Sequence, residues 1–430
     1  MDIFDVLSMV GGLALFLYGM HIMGDALAKM SGGKLEKVLE RLTSNKWSAV
    51  LLGAGVTAVI QSSGATTVMV VGFVNSGIMK LNQAVGIIMG ANIGTTATSW
   101  LLSLSGIDGG SFFLQMLKPT SFTPILAVIG AILVVFCKSE KKHNIGTILL
   151  GFAILMYGMT AMSSAVEPLK DVPQFTQILT KFENPLLGVI AGFVLTTIMQ
   201  SSSVSVGILQ ALCMTGAVSF GAAVPIIMGQ NIGTCVTAIL SSVGSSKNAK
   251  CVGTMHLTFN IAGTIIFSIL AMFLFARLDP SYGEGIINMT QISFIHTVFN
   301  VGTTIILMPF SGYIIKFAMK VNGLKAVETK SDEAELVHLD KRMMSTPSVA
   351  VEGAKLETIR MGRIARENLS LALSTLSDHD EEKMADVKQR EFVIDKLCDN
   401  ISKYLIDLCM LHLSDKDNEM VTSLLNTVSD

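Results

Sequence analysis

Long apolar stretches alternate with short polar breaks along most of the chain. Because a helix that crosses a bilayer needs roughly 20 apolar residues, this pattern predicts an all-α, polytopic membrane protein. The predicted crossings are Ile3–Gly24, Leu81–Ser103, Pro119–Cys137, Ile145–Val166, Ala222–Val243, Val252–Phe275 and Ile286–Phe317. After Lys320 the sequence becomes charged, and amphipathic helical spacing replaces the long apolar runs.

Two further apolar segments, Trp47–Met79 and Asn184–Ser219, are too long for one crossing helix. A polar cluster interrupts the middle of each, Gln61-Ser62-Ser63-Gly64 in the first and Gln200-Ser201-Ser202-Ser203 in the second. We expect each segment to be a re-entrant hairpin, whose broken backbone must be satisfied by protein or by a watery cavity. The alternative is a single tilted helix with serines in a helix–helix contact.

Composition supports a membrane location. Half of the residues are hydrophobic (50%), only 15% are charged and the mean hydropathy is +0.58. The net charge of −2 gives no basic field for nucleic acid. The six cysteines form no spacing typical of a metal site, and we find no P-loop, dinucleotide fingerprint or nucleophile–base pairing. We therefore expect neither an enzyme nor a nucleic-acid-binding protein.

The distribution of basic residues predicts the orientation in the membrane. If both long segments are re-entrant, one side receives Lys29, Lys34, Lys37, Arg41, Lys46, Lys80, Lys138, Lys141, Lys142, Lys247 and Lys250. The opposite side receives only Lys118, Lys170, Lys181 and Arg277. Since cytoplasmic loops carry the excess of Lys and Arg, the first side is cytoplasmic. The charged C-terminal region falls on the same side.

Sequence motifs recur at a fixed offset of 139 residues. Gly12-x-Ala14-x-x-x-Tyr18-Gly19-Met20 returns as Gly151-x-Ala153-x-x-x-Tyr157-Gly158-Met159, Gln61-Ser62-Ser63 as Gln200-Ser201-Ser202, and the run 87–95 as 226–234. With re-entrant hairpins, an odd number of crossings separates equivalent points, so the two copies are inverted. Inverted repeats with broken helices near the midplane are the architecture of secondary transporters. If the hairpins crossed the membrane, the repeat would be parallel.

The polar clusters suggest what the protein binds. Apart from Asp5, the spans and hairpins contain no Asp, Glu, Lys or Arg away from their ends. This disfavours a proton relay and is compatible with Na⁺ coordinated by neutral oxygens. Two hairpin tips, 61–63 and 200–203, offer serine hydroxyls and helix N-termini to an oxyanion. Spacing alone does not separate phosphate from sulfate or a carboxylate.

Other motifs have a structural alternative beside the functional one. The duplicated Gly-x-Asn-Ile-Gly-Thr segments could pack closely through glycine, but their place after the hairpins favours a site lined by Asn92, Thr95 and Asn231. His256 and His296 each begin a His-x-x-Phe-Asn segment. For these we expect hydrogen-bonded helix contacts before ligand binding.

At these motifs the sequence resembles the type II sodium–phosphate cotransporter family, in its bacterial form with a C-terminal PhoU-like domain. The paired Gln-Ser-Ser clusters match the duplicated hallmark of that family, as do the two Gly-x-Asn-Ile-Gly-Thr segments. The resemblance implies Na⁺-coupled phosphate uptake by elevator-like alternating access. It places phosphate on Ser62, Ser63, Ser201, Ser202 and Ser203, and it places sodium around Gln230, Thr234 and Thr237. We count Gln61 and Gln200, which begin the two tips, among the phosphate-site residues as well.

The expected organisation has three parts. A transport domain covers residues 1–320, with repeat one at about 3–137, repeat two at about 143–277 and an extra helix at about 286–317. A linker occupies 321–345. A PhoU-like helical domain covers 346–430, with helices at Val349–Leu376 and Glu381–His412 and a third from about Asp417, and we expect this domain to be incomplete. Glu391 and Asp395, at i,i+4 spacing, fit a solvated helix face better than a metal site.

The sequence thus predicts a Na⁺-coupled phosphate symporter of the bacterial inner membrane, with a cytoplasmic C-terminal domain that regulates activity or assembly. Its partners would be phosphate, Na⁺ and lipid, without a further cofactor, and a homo-oligomer is compatible with this architecture. Two alternatives stay open. One is a Na⁺-coupled carrier of carboxylates or sulfate, and the other is a phosphate-responsive channel or sensor.

Overall fold

The computed structural model describes residues 3–31, 45–77, 79–106, 119–277, 283–324, 336, 338–345, 347–378, 381–411, 413 and 415–429. Much of the predicted linker 321–345 lies outside these residues.

The described chain is all-α. Its helices are α1 (Ile3–Ser31), α2 (Lys46–Ile60), α3 (Ser63–Asn75), α4 (Leu81–Ser103), α5 (Pro119–Phe136), α6 (Glu140–Val166), α7 (Pro173–Lys181), α8 (Pro185–Met199), α9 (Ser202–Cys213), α10 (Phe220–Ser241), α11 (Lys247–Arg277), α12 (Met289–Leu307), α13 (Ser311–Val321), α14 (Pro347–Asp378), α15 (Glu381–Cys409) and α16 (Asp415–Ser429). Short 3₁₀ helices lie at Leu104–Gly106, Glu167–Asp171 and Lys341–Ser345.

Six helices of the described chain are long and apolar enough to cross a membrane. They cover Ile3–Leu27, Leu81–Gly106, Glu140–Leu169, Phe220–Ser241, Lys247–Phe273 and Met289–Leu307. Each corresponds to a predicted crossing, so the all-α polytopic fold class is confirmed. The large apolar side chains that these helices leave exposed, such as Ile269 and Phe273 on α11, suit a surface in contact with lipid.

A span of sufficient length lies within the predicted crossing Ile286–Phe317, at Met289–Leu307, but the prediction of one helix over the whole of Ile286–Phe317 is wrong. This stretch forms two helices, α12 and α13, which are separated by a turn at Met308–Phe310. Pro309 lies in that turn, and proline interrupts a helix because it has no amide proton and its ring clashes with the preceding turn. The apolar character continues through the break, which is why hydropathy alone does not reveal it.

Both long apolar segments are interrupted at their polar clusters. Helix α2 ends at Ile60 and α3 begins at Ser63, while α8 ends at Met199 and α9 begins at Ser202. In the first segment the hydroxyls of Thr57 and Thr66 are only 2.9 Å apart. A continuous helix would separate residues nine apart by about 13 Å, so the chain reverses here and is not one tilted helix. We call α2 and α3 helix pair one, and α8 and α9 helix pair two.

Helices α1 and α6 are equivalent by the repeat and pack on each other in opposite directions. A Cβ at Gly12 would lie 3.0 Å from the carbonyl oxygen of Gly158. One at Gly151 would lie 2.9 Å from that of Gly19. Gly12 and Gly151 are equivalent, as are Gly19 and Gly158, so the order of the contacts along the two helices is reversed.

Close glycine contacts also join each helix pair to the helix that follows it. A Cβ at Gly90 on α4 would collide with the carbonyl oxygen of Val50 on α2. A Cβ at the equivalent Gly229 on α10 would collide with that of Val189 on α8. The glycines of the duplicated Gly-x-Asn-Ile-Gly-Thr segments therefore do serve close packing, and they hold each pair against its neighbour.

The C-terminal region contains three packed helices, where the sequence indicated a pair followed by a short third helix. Leu397, Ile401 and Leu405 on α15 are fully buried between α14 and α16. Glu391 accepts a hydrogen bond from Asn368 on α14 at 3.1 Å. Within the described ranges, no group of three or more His, Cys, Asp or Glu residues could hold a metal ion.

Candidate functional site

The two polar tips meet in the interior of the protein. The Oγ atoms of Ser63 and Ser202 are 3.4 Å apart, and both serines are buried. These two residues are equivalent in the repeat, at an offset of 139 positions. Equivalent residues that contact each other lie at the point where the two copies face one another. We call residues 61–63 tip one and residues 200–203 tip two.

Each tip presents the beginning of a helix. Ser62 is the N-cap of α3 and accepts a hydrogen bond from the amide of Ala65 at 3.1 Å. Ser201 is the N-cap of α9 and accepts from the amide of Val204 at 3.4 Å. In both serines the hydroxyl oxygen accepts, which leaves the hydroxyl proton to be donated elsewhere. Two helix N-termini give this region a partial positive charge without a cationic side chain.

A glutamine fixes the backbone turn at each tip. Gln61 and Gln200 are the described non-glycine residues with positive φ, at 59° and 53°. The Gln61 Oε1 accepts a hydrogen bond from Thr98 at 2.9 Å, and the Gln200 Oε1 accepts from Thr237 at 3.1 Å. The Nε2 groups donate to main-chain carbonyls one turn earlier, in Ala58 and Thr197. The two tips therefore share one design, in which the amide braces the turn.

The two tips differ in exposure. Gln61 is buried at 8% exposure, whereas Gln200 is exposed. Ser203, in the first turn of α9, is 4% exposed. Its equivalent in the first copy is Gly64, the residue after tip one, where a Cβ would lie 3.6 Å from the methyl group of Thr237.

The three residues predicted to bind sodium each form a hydrogen bond to a different group. Gln230 donates from Nε2 to the carbonyl of Ser205 at 3.0 Å, while its Oε1 has no partner in the described chain. The Thr234 hydroxyl donates to the carbonyl of Gln230 at 3.0 Å. Thr237 bonds to Gln200 in tip two.

The sequence analysis missed two residues here: Ser205, whose carbonyl accepts from Gln230, and Thr196, which packs against Gly233 about one turn further along α10. Thr196 and Ser205 are fully buried, and their hydroxyl oxygens, like Oε1 of Gln230, have no hydrogen-bond partner among the described residues. In the first copy the equivalent Thr57 and Thr66 bond to each other at 2.9 Å. Helix pair two therefore leaves free the hydroxyl groups that helix pair one joins together.

The residues predicted to line the site form hydrogen bonds either to another helix or within their own helix. The Oδ1 of Asn92 accepts from Nε2 of His256 at 3.1 Å, and its Nδ2 donates to Asn260 at 3.1 Å. The Thr95 hydroxyl donates to the carbonyl of Ala91. The amide of Asn231 donates to the carbonyl of Ile227.

The two histidines have different roles in packing. The helix contact expected of His256 is confirmed, because this residue joins α11 to α4 through Asn92. His296 instead bonds to Asn300 in its own helix, α12, at 3.2 Å.

A buried glutamine ties three helices together behind the tips. The Nε2 of Gln210 on α9 lies 3.1 Å from the carbonyl of Ser99 on α4 and 3.0 Å from the hydroxyl of Ser293 on α12. The two serine hydroxyls are 2.9 Å apart. The repeat does not reveal Gln210, because its equivalent is Val71. In the sequence, the only indication of this role is a single glutamine within an otherwise apolar stretch.

These features define a class of protein. Helices that span a membrane surround two broken helix pairs whose uncharged polar tips meet in the interior, as in secondary transporters. The profile of the Na⁺/Pi-cotransporter family matches residues 15–164 and again residues 155–280. The chain belongs to this family, which assigns it to phosphate transport and not to an enzyme class. The profile of the PhoU domain matches residues 358–430.

Several relatives are similar over much of the chain. YjbB of Escherichia coli (strain K12), provisionally named an inorganic phosphate export protein, is 25% identical over 96% of this chain and 73% of its own. The uncharacterized protein YqeW of Bacillus subtilis (strain 168) is 26% identical over 71% of this chain and 94% of its own. The sodium-dependent phosphate transport protein 2A of Rattus norvegicus is 22% identical over 60% of each chain. No solved structure matches the chain significantly.

Proposed function

We propose that this protein carries inorganic phosphate into the cell together with Na⁺, by alternating access around a site between the two tips. The observation that supports this most is the contact of the equivalent serines Ser63 and Ser202 at 3.4 Å. An anion bound there would be reached by both halves of the molecule, and their relative movement would expose it to either side.

Phosphate would be held by Ser62, Ser63, Ser201, Ser202 and Ser203. The N-cap serines can donate their hydroxyl protons to phosphate oxygens while still accepting from the helix amides. Hydrogen bonds to charged groups contribute about 1.5–3 kcal/mol each. Gln61 and Gln200 would act by fixing the backbone of the tips, since both ends of each amide already have partners.

The two copies would be inverted, with helix pairs one and two as re-entrant elements that enter from opposite sides. The reversed order of glycine contacts between the equivalent helices α1 and α6 supports inversion. The contact between the equivalent serines Ser63 and Ser202 is compatible with a two-fold axis between the copies, which inverted and parallel repeats would share.

Sodium would bind beside tip two, around Gln230, Thr234 and Thr237. We add Thr196 and Ser205 to this set, because their hydroxyl oxygens and Oε1 of Gln230 are buried without partners among the described residues. Buried polar atoms of this kind are normally satisfied. Neutral oxygens of this kind suit a small cation, whose charge would offset that of the nearby phosphate.

Phosphate export is a second candidate, favoured by the provisional name of YjbB, which is similar over 96% of this chain. In either case we infer a plasma-membrane protein with a transport domain at about 1–320. Its C-terminal helical domain, at about 346–430, would lie in the cytoplasm. Transport of sulfate or carboxylates, and a channel or sensor role, stay as alternatives for the test.

The test is labelled-phosphate flux in liposomes that contain the purified full chain. A symporter accumulates phosphate above the equilibrium level only when an inward Na⁺ gradient is present, and K⁺ does not replace Na⁺. A channel only equilibrates phosphate. Excess unlabelled sulfate or dicarboxylate reveals the alternative substrates by competition. Accumulation without a Na⁺ gradient, or efflux from loaded vesicles at a rate that does not depend on Na⁺, would contradict the proposed symport.

A further inference from the structure

The C-terminal region reaches helix pair one through a short segment, residues 338–345, which we call the strap. Nδ2 of Asn75, the last residue of α3, donates to Oδ2 of Asp340 at 2.9 Å. Nδ1 of His338 donates to the main-chain carbonyl of Ser76 at 2.7 Å. The strap therefore binds both a side chain and the backbone at the end of α3 that is remote from tip one.

The opposite side of the strap is bound to the helical domain. Oε2 of Glu357 on α14, a fully buried residue, accepts from the amide of His338 at 2.6 Å. The Tyr404 hydroxyl on α15 donates to the carbonyl of Asp340 at 2.8 Å. Burial, together with the Asp340 carboxylate, raises the pKa of Tyr404, so this hydroxyl keeps its proton at neutral pH.

Apolar packing closes the same junction. Met343 in the strap is 3% exposed, and a Cβ at Gly72 on α3 would lie 3.2 Å from its Cγ. One continuous hydrophobic core includes Val71 on α3, Met343, and Leu397 on α15. Met343 of the strap therefore connects the packing of α3 to that of the helical domain.

The contact departs from the symmetry of the repeat. The equivalents of Gly72 and Asn75 are Ala211 and Met214. Alanine at the first position would press against the strap, and methionine at the second cannot donate to a carboxylate. Met214 is 46% exposed. Within the described chain, the residues that bind the strap therefore distinguish helix pair one from helix pair two.

We propose that the strap inhibits transport. Through it the C-terminal domain holds α3 in place, and transport requires these contacts to loosen. We call this restraint the brake. Helix α3 has 13 residues, so it is a rod of about 20 Å with Ser63 at one end and the strap at the other. A restraint on the Asn75 end is transmitted to tip one. This inference goes beyond the proposed phosphate site, because it assigns control of one tip to the C-terminal domain.

The first experiment is hydrogen–deuterium exchange on the full chain carrying Asn75→Met, the residue found in helix pair two. The variant loses the bond to Asp340 and also the bond that Oδ1 of Asn75 accepts from the amide of Ser246 at 2.9 Å. Exchange in Ser63–Asn75 should rise about two- to tenfold, with Ser202–Cys213 unchanged as an internal reference. Asp340→Leu, which keeps the bond to Ser246, should raise exchange in α3 as well. Met214→Ala is the matched control and should alter neither segment. Unchanged exchange in α3 of Asn75→Met would overturn the brake. This measurement needs no phosphate, so it stands apart from the test of the transported substrate.

The second experiment locks the same contact. In a Gly72→Cys, Met343→Cys double variant, oxidation should join α3 to the strap and reduce phosphate flux at least tenfold. A reductant should restore the flux, and either single variant should be insensitive to oxidant.

Asn75→Met should raise turnover about two- to tenfold with KM for phosphate unchanged. Full flux through the oxidised double variant, or no gain in Asn75→Met, would contradict the brake.

Discussion

Gln61 and Gln200 show how single residues shape this site. Each adopts the left-handed backbone region, with φ of 59° and 53°, which costs a non-glycine residue about 1–3 kcal/mol. Hydrogen bonds to Thr98 and Thr237 and to main-chain carbonyls compensate for that strain. The sequence marked both glutamines as part of the tips, but their bracing role depends on threonines 37 positions away in sequence, which no local pattern connects to them.

We predict that Gln61→Gly relieves backbone strain while it loosens tip one. Stability should change by no more than about 1 kcal/mol, whereas phosphate turnover should fall. Thr98→Val should lower turnover in a similar way, because it removes the other partner of the same bond. In a double-mutant cycle the two effects should not add. Additive losses of turnover would show that Gln61 and Thr98 act separately.

We predict that Ser202→Ala weakens phosphate binding about 10- to 100-fold, which corresponds to about 1.5–3 kcal/mol for one hydrogen bond to an anion. KM for phosphate in the liposome assay measures the effect. Ser370→Ala is the control, since Ser370 is exposed on α14 and bonds only to the helix backbone in the described contacts. An unchanged KM in Ser202→Ala would remove Ser202 from the site.

We predict that Ser205→Ala and Thr196→Val raise the Na⁺ concentration needed for half-maximal transport. Each removes a hydroxyl oxygen that has no partner in the described chain. Thr57→Val, at the equivalent position of the first copy, is the matched control and should leave Na⁺ dependence unchanged. Should the Na⁺ response of all three variants equal that of the original chain, the unpartnered oxygens are occupied by water and not by sodium.

Among the elements, the six long apolar helices and the two interruptions followed from the sequence. Helix α4 begins and ends where hydropathy placed it, at Leu81 and Ser103, because a span must match the bilayer thickness. The Gln-Ser-Ser clusters indicated the two interruptions, because the same cluster recurs in both copies of the repeat. The division between α12 and α13 at Pro309 was missed, since apolar residues continue on both sides. The sequence also did not predict which helices pack against each other, because contacts between distant segments leave no periodic signal.

The glycine contacts between α8 and α10 give a prediction at this scale. Gly229→Ala places a methyl group against the carbonyl of Val189, and overpacking of this kind typically costs about 1–3 kcal/mol. The Tm in detergent should fall accordingly. Gly55→Ala is the control, because a Cβ there meets no atom within 4 Å and alanine favours the helix. Equal Tm values for the two variants would contradict the tight α8–α10 contact.

In the whole molecule, two similar halves meet at one polar centre, and the C-terminal helical domain contacts the end of α3 that is remote from this centre. The repeat predicted that the two tips belong together, and the structure brings Ser63 and Ser202 within 3.4 Å. The attachment of the C-terminal domain to α3 could not be predicted, because it depends on Gly72 and Asn75, where the first copy differs from the second. The two copies therefore share the Gln-Ser-Ser design of their tips and differ where α3 contacts the strap.

The most direct measurement is calorimetric binding of phosphate to the purified full chain, in Na⁺ and in K⁺, for the original chain and for a Ser63→Ala, Ser202→Ala double variant. We predict binding that requires Na⁺ and an affinity at least tenfold lower in the double variant, with Tm retained. Equal phosphate affinity in the two proteins, or equal affinity in Na⁺ and K⁺, would contradict a sodium-coupled phosphate site between the tips.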